Sequence, residues 1–419
     1  MERVCFGRKA RIMAAVIAVG LAALTPAWSQ TTAPLTFAGN WVATWTCAPM
    51  APGSAFLPPV SFDNQTIRQV VHISVGGNLI RVKLSNAYGA AALAIGEVHV
   101  ALSAGGSSIV PGTDQTLTFS GQTSITIPNG ALALSDPVPF PVPSLANLTI
   151  SIYVPDNTGP ATYHESADQT EYISGPGNFA GAVTFPTAQT DTSRYWLSGV
   201  DVDPVIKVNT VVAIGDSITE GFQSTVDANR RWTDDLSARA NSPYGLPRLA
   251  VINQAIGCSR LLFDFCGSNG SSRFDRDVLA QTGVTHVVVD LGLVDIVFAS
   301  TANDPAQAVT PQQVITGLTQ LIQRAHARGV KIIGATITPN EGSTYPGFFT
   351  PANEVERQAV NQWIRTSGAY DGVIDFDAAV RDPSDPERLL PAFASPDNTH
   401  LNDAGYQAMA NAINLSLFR

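Results

Sequence analysis

Five mostly apolar runs punctuate the second half of the chain: Thr210 to Ile214, Leu249 to Ile252, His286 to Leu291, Val330 to Ile337 and Gly372 to Phe376. Strands that are apolar at nearly every position must be covered on both faces, and that happens in parallel sheets flanked by helices. Helical patterns fill the intervals. Thr310-Pro311-Gln312-Gln313 reads as a helix start, with Thr310 as cap, Pro311 in the first turn and Gln313 completing a capping box. Val314, Leu318, Leu321 and Ile322 follow at helical spacing, and Gly329 ends the pattern. Glu354 to Ile364 and Ala404 to Leu417 read as two further helices.

Before residue 205 the pattern is different. Short alternating segments recur at Thr66 to Ile73, Leu79 to Leu84, Glu97 to Ala101, Thr116 to Phe119, Ser124 to Ile127 and Leu148 to Tyr153. Turn signals such as Gly76-Gly77-Asn78, Pro111-Gly112 and Pro128-Asn129-Gly130 separate them. Many short strands at regular spacing predict an antiparallel sandwich or jelly roll, with no convincing amphipathic helix. A chain of 419 residues has room for two to three domains. With no internal repeat, the reading is an all-β domain over 38–200 and an α/β domain over 205–419.

The N-terminus bears on compartment. Arg3, Arg8, Lys9 and Arg11 precede the apolar run Ile12 to Leu24, and Ala27-Trp28-Ser29 offers small residues for cleavage. Thirteen residues are too few to span a bilayer, so residues 1–29 read as a secretory signal peptide, and no second run approaches membrane length. The expected location is secreted or periplasmic. Cleavage would leave 20 basic against 33 acidic side chains, a net −13, which argues against nucleic acid or an anionic membrane as partner. Of the four cysteines, Cys5 leaves with the signal. Cys258 and Cys266 bracket a short loop and are expected to form a disulfide, two buried thiols being the alternative. Cys47 is left over, most simply buried. No Cys/His spacing suits zinc, and no metal or cofactor is expected.

The first apolar run of the α/β part feeds Gly215-Asp216-Ser217-Ile218-Thr219-Glu220-Gly221. Ligand sites in doubly wound sheets form beyond the carboxyl ends of the strands, where Ser217 would stand. Taken singly, Ser217 could merely cap a helix, Asp397 sit in a turn and His400 mark a helix entry. Together they offer a nucleophile, a base that titrates in the useful range and a carboxylate three residues earlier to hold its tautomer.

These residues resemble the SGNH (GDSL-type) serine hydrolases, specifically secreted xylan-associated acylhydrolases and arylesterases with an N-terminal β domain. The resemblance spans 208–419. Its first block is Gly215 to Gly221, its second Asn253-Gln254-Ala255-Ile256-Gly257, and its last Asp397-x-x-His400 followed by Leu401-Asn402-Asp403-Ala404-Gly405-Tyr406. Trp41 to Pro49 and Ile67 to Gly89 resemble the leading domain of the same enzymes. The resemblance implies a flavodoxin-like three-layer domain with strand order 2-1-3-4-5 after a β-sandwich. It also implies Ser217, His400 and Asp397 as catalytic triad, with the Ser217 and Gly257 N–H groups in the oxyanion hole. The third block departs: the family pattern Gly-x-Asn-Asp stands here as Gly292-Leu293-Val294-Asp295. Valine has no donor for the oxyanion, and losing one such donor typically costs about 10²- to 10³-fold in turnover. It also makes the pocket wall more apolar. Asp295 is implied to be structural.

The expected activity is hydrolysis of short-chain or acetyl carboxylic esters, on small molecules or polysaccharide, through an acyl-serine. The alternative is a weakened or inactive SGNH-fold protein serving as a carbohydrate- or surface-binding module. Oligomeric state is not legible. His72, His99 and His164 read as packed or solvated histidines, His326 as lying on the polar side of a helix, and His286 as opening a strand. Trp41, Trp45 and Tyr88 read as core aromatics rather than a sugar platform, and Glu354 to Arg357 as a solvated first turn.

Overall fold

Unbroken apolar strands do assemble in parallel. In the computed structural model, which describes residues 39–54, 56–242 and 248–419, Asn209–Gly215 pairs with Leu249–Asn253 on one side and Val284–Asp290 on the other. Lys331–Ala335 and Gly372–Ile374 extend the sheet, giving the order 2-1-3-4-5. Val211, Val212, Ile252, Val287, Val288 and Ile332 are buried, as strands covered on both faces require. The helix Trp232–Asn241 packs with Asp403–Ala412, and Pro311–Ala327 with Pro351–Thr366. Pro311–Ala327 starts as its sequence dictates: Thr310 and Gln313 form a reciprocal capping box. The expected leader at 1–29 lies outside the described residues. No helix among the described residues is long and apolar enough to cross a membrane.

The β-rich part before it holds two large antiparallel sheets and two short strand pairs, Leu93–Ile95 with Ile125–Ile127 and Tyr163–His164 with Arg194–Tyr195. One runs Val42–Thr46, Leu197–Val202, Gly77–Ser85, Val138–Val142; the other contains Glu171–Pro176, Gln65–His72, Asn147–Val154 and Glu97–Gly105 in that order. Ile67, Val71, Val82, Leu84, Ile150 and Val200 share one core between them. Gln115–Thr116 is shorter than the Thr116 to Phe119 run suggests; Phe119 bridges back to Gln122 instead.

The β-rich part and the parallel sheet belong to one compact unit, Gly39–Arg419. Buried polar contacts join them. Asp201 accepts from Thr282 at 2.8 Å while pairing with Arg81 and Lys83 at 3.0 and 2.9 Å, and Thr46 donates to the Asn253 carbonyl at 3.1 Å. Ala250 and Ile256, from the second half, pack into the β core.

Two sequence expectations are corrected, and a third is refined. The helix after Asn402 stops at Ala412, and Leu415–Phe418 forms a separate 3-10 turn. Trp45 packs against the β core as expected, while Trp41, Trp45 and Tyr88 also each lie under an arginine, namely Arg81, Arg194 and Arg276. Glu354 and Arg357 are not solvated: Arg357 grips both Glu354 oxygens at 2.7 Å and reaches Asp377 at 2.7 Å, all buried. Spacing alone could not reveal this, because Asp377 arrives from a distant segment. Removing one partner of a buried pair strands the other's charge. Arg357→Ala is therefore expected to lower the unfolding free energy by about 3–5 kcal/mol; a loss under 1 kcal/mol in urea denaturation would contradict this account.

Candidate active site

The site forms where the central strand Asn209–Gly215 ends. Gly215 is needed for close approach: a Cβ there would fall 2.9 Å from the Asp290 carbonyl and collide with Thr219. Asp216, not Ser217, caps the following turn, its carboxylate accepting from the Ile218 N–H at 3.0 Å. That frees the Ser217 hydroxyl. It lies 2.8 Å from His400 Nε2, and His400 Nδ1 lies 2.7 Å from Asp397 Oδ2. The three candidate residues, 183 positions apart at the extreme, are thus joined in one hydrogen-bonded line.

The loop that presents Asp397 and His400 is held from several sides. Asp397 Oδ1 accepts from the Ser395 hydroxyl at 2.7 Å and from the N–H groups of Thr399 and His400 at 2.9 and 2.8 Å. Burial alone would raise the Asp397 carboxyl. The His400 ring, its N–H and Ser395 outweigh this and hold it well below the usual carboxylate range, so it stays ionised. Asn402 caps the next helix and ties its amide to the Ala392 and Ala394 carbonyls at 3.0 and 3.1 Å. Phe222 stands edge-on to the His400 ring with centroids 4.8 Å apart, and Tyr345 lies 6.2 Å away.

Gly257 is beside the serine, yet its N–H is already used. It donates to Glu220 Oε1 at 2.8 Å, and the missing side chain makes this possible, since a Cβ would sit 2.8 Å from Glu220 Oε2. Glu220 is buried and paired with His164, whose Nε2 lies 3.1 Å from Oε1. His164 Nδ1 faces the Ala48 carbonyl at 3.0 Å, so both ring nitrogens meet acceptors and the imidazolium form satisfies both. Burial opposes that charge, but Cys47 and Glu220 against the ring raise its pKa well above the usual histidine value. Sequence reasoning missed this pair. Glu220 stood within the first motif, but nothing in the order of residues pointed it at a histidine 56 positions away in the β-rich part.

Val294 lines the same cavity as Ser217, Gly257 and His400, and brings no donor to it. Asp295 faces away, accepting from the Leu261 and Leu262 N–H groups at 2.5 and 3.0 Å. It thereby anchors the loop that a disulfide between Cys258 and Cys266 closes, with Cα atoms 5.8 Å apart. Cys47 is free and buried. The buried Arg273 clamps the two strand-end loops, meeting the Gly215 carbonyl at 3.3 Å and the Gln254 carbonyl. Among the described residues no three His, Cys, Asp or Glu side chains are grouped as a metal site would need. Of the remaining histidines, His99 lies between Glu97 and Asp114, His326 pairs with Asp371, and burial pushes His286 down to about 4.

Residues 213–408 match the GDSL-like lipase/acylhydrolase family. No curated protein matches the chain. Similar solved structures include a carbohydrate acetylesterase from Sinorhizobium meliloti, 16% identical, spanning 49% of this chain and 95% of that one with a TM-score of 0.38. An acetylxylan esterase from Geobacillus stearothermophilus, solved as a catalytic mutant, is 19% identical over 49% and 93%, TM-score 0.38. The M. smegmatis aryl esterase is 15% identical over 49% and 96%, TM-score 0.39.

Asp295 also sets a pH signature. Burial raises its carboxyl to about 6, against the opposing pull of the Leu261 and Leu262 N–H groups and Arg260. A folded-state pKa above the unfolded one contributes stability that is complete below about pH 4 and lost as pH rises through about 6, roughly 3 kcal/mol for a shift of this size. Between pH 4 and 7 the unfolding free energy of Asp295→Asn should therefore fall less than that of the parent by about this amount. Parallel curves for the two proteins in pH-dependent denaturation would refute the assignment.

Proposed function

We propose that the protein hydrolyses carboxylic esters through an acyl-serine intermediate on Ser217, a reading supported by the match of residues 213–408 to the GDSL-like lipase/acylhydrolase family. The observation that carries this is the unbroken line from Ser217 Oγ through His400 to the ionised Asp397, at 2.8 and 2.7 Å. His400 Nε2 takes the Ser217 proton as Oγ attacks the carbonyl carbon. The tetrahedral oxyanion collapses, the ester C–O bond breaks, and the leaving alkoxide receives that proton from His400. Water, deprotonated by the same nitrogen, then attacks the acyl-serine, releasing the acid and returning the proton to Oγ. Asp397 holds the ring and offsets the imidazolium charge throughout.

The oxyanion is the weak point. The Ser217 N–H is at the start of a helical turn, where no intrahelical acceptor exists. For Gly257 to contribute, its N–H must be shared with Glu220, and the His164 charge keeps that carboxylate from acting as a bare anion beside the developing negative charge. Acetyl and other short-chain esters, free or on polysaccharide, are the minimal substrates of this reading. We also propose export, with residues 1–29 as a cleaved leader; the Cys258–Cys266 disulfide supports it, because such bonds persist in oxidising compartments. One observation favours a second reading as a binding module: Val294 supplies no donor while the Gly257 donor is engaged.

Hydrolysis of p-nitrophenyl butyrate and labelling by a fluorophosphonate separate the two. Turnover and label that both vanish in Ser217→Ala establish the esterase, whereas a parent protein indistinguishable from Ser217→Ala leaves the binding module. Val294→Asn, restoring a donor, should raise kcat by up to about 10²-fold. An unchanged kcat would mean that the side chain at 294 does not reach the oxyanion.

A further inference from the structure

The cavity at Ser217 holds about 640 Å³, far more than an acetyl group fills. Its wall has a direction. Val294, Val297, Phe298 and Thr301 all line it, at i, i+3, i+4 and i+7 of the helix Leu293–Thr301, so one stripe of that helix faces the cavity for about 10 Å from the Ser217 end. The valine in place of the family's asparagine begins the stripe and makes it apolar from its first residue. About 6 Å further along, one helical turn, the Phe298 ring is fixed: Arg260 stacks over it at 4.1 Å, and Phe265 meets it edge-on at 4.8 Å.

The two halves of an ester are distinguishable here. The leaving oxygen must reach His400 Nε2 to collect its proton, which puts the alcohol on the side of Phe222 and Tyr345, both packed near that ring. The helix stripe is then left for the acyl group. The mouth is apolar as well: Phe56, Phe265 and Tyr345 line it while remaining 64, 43 and 38% exposed.

We infer that the stripe Val294–Val297–Phe298 is an acyl channel selecting esters of medium-length apolar acids over acetates, with Phe298 gauging chain length. The inference rests on the serine-esterase reading above and names its substrate class. Each methylene seated against the stripe leaves water, which raises kcat/KM about three- to fourfold per carbon until Phe298 is passed.

The test is kcat/KM of the full mature chain for p-nitrophenyl acetate, butyrate, hexanoate, octanoate and decanoate. A rise from acetate to at least hexanoate is expected, with a maximum that moves to longer acids in Phe298→Ala and to shorter ones in Val297→Phe. Thermal unfolding confirms that each variant is folded, and either variant alone suffices if the other is not. Ser217-dependent turnover that is flat with chain length or best with acetate overturns the channel and leaves the esterase standing, as does a profile unmoved by the variants. Absence of Ser217-dependent turnover on every ester, with no fluorophosphonate label, overturns the esterase itself and the channel with it.

Discussion

A single buried carboxylate, that of Glu220, ties the strand end that carries Ser217 to the rest of the molecule. It takes the Gly257 N–H from the second strand-end loop and the His164 ring from the β-rich part, while its own residue closes the turn that carries Ser217. A charge at this depth is tolerable only when paired and hydrogen-bonded. The ion pair therefore makes the β-rich part a structural requirement of the site rather than an appendage. The buried contacts of Asp201 with Thr282, and of Thr46 with Asn253, act in the same sense, holding the sheet systems in the register that lets His164 arrive.

Around that charged support the reacting side of the cavity is apolar. Phenylalanines, valines and the disulfide line it, so charge on the Ser217–His400–Asp397 line is weakly screened there. The same low polarity strengthens the hold of Asp397 on the ring and makes each missing oxyanion donor more costly. On the proposed esterase reading Val294 thus has two physical consequences, one oxyanion donor fewer and a longer apolar wall. Both follow from one side chain exchanging a hydrogen bond for hydrocarbon.

Much of the fold was legible because its signals are local or periodic. The capping box at Thr310 and Gln313, the apolar strands and the switch of pattern near residue 205 are all properties of neighbours in sequence. Ser217, Asp397 and His400 were legible as chemical types in motifs. Glu354 with Arg357 was misread, since a charged first turn in isolation is a solvated one, and only the approach of Asp377 makes it a buried pair. Glu220 and His164 were invisible as partners for the same reason. Aromatics told little: Trp41, Trp45 and Tyr88 support arginines, a role that depends on which cation folds over each ring.

Residue order alone carries the parallel sheet, its helices, the antiparallel strands before them and the chemical types at Ser217, His400 and Asp397, because backbone propensity, side-chain period and functional-group chemistry are encoded within a few positions. Three-dimensional packing decided the rest: that the Gly257 donor is engaged by Glu220, that both His164 ring nitrogens meet acceptors, and that the helix beginning at Leu293 turns its apolar stripe toward the cavity at Ser217. Each of these depends on distances between groups far apart in the chain, and on burial that strengthens whichever contact those distances allow.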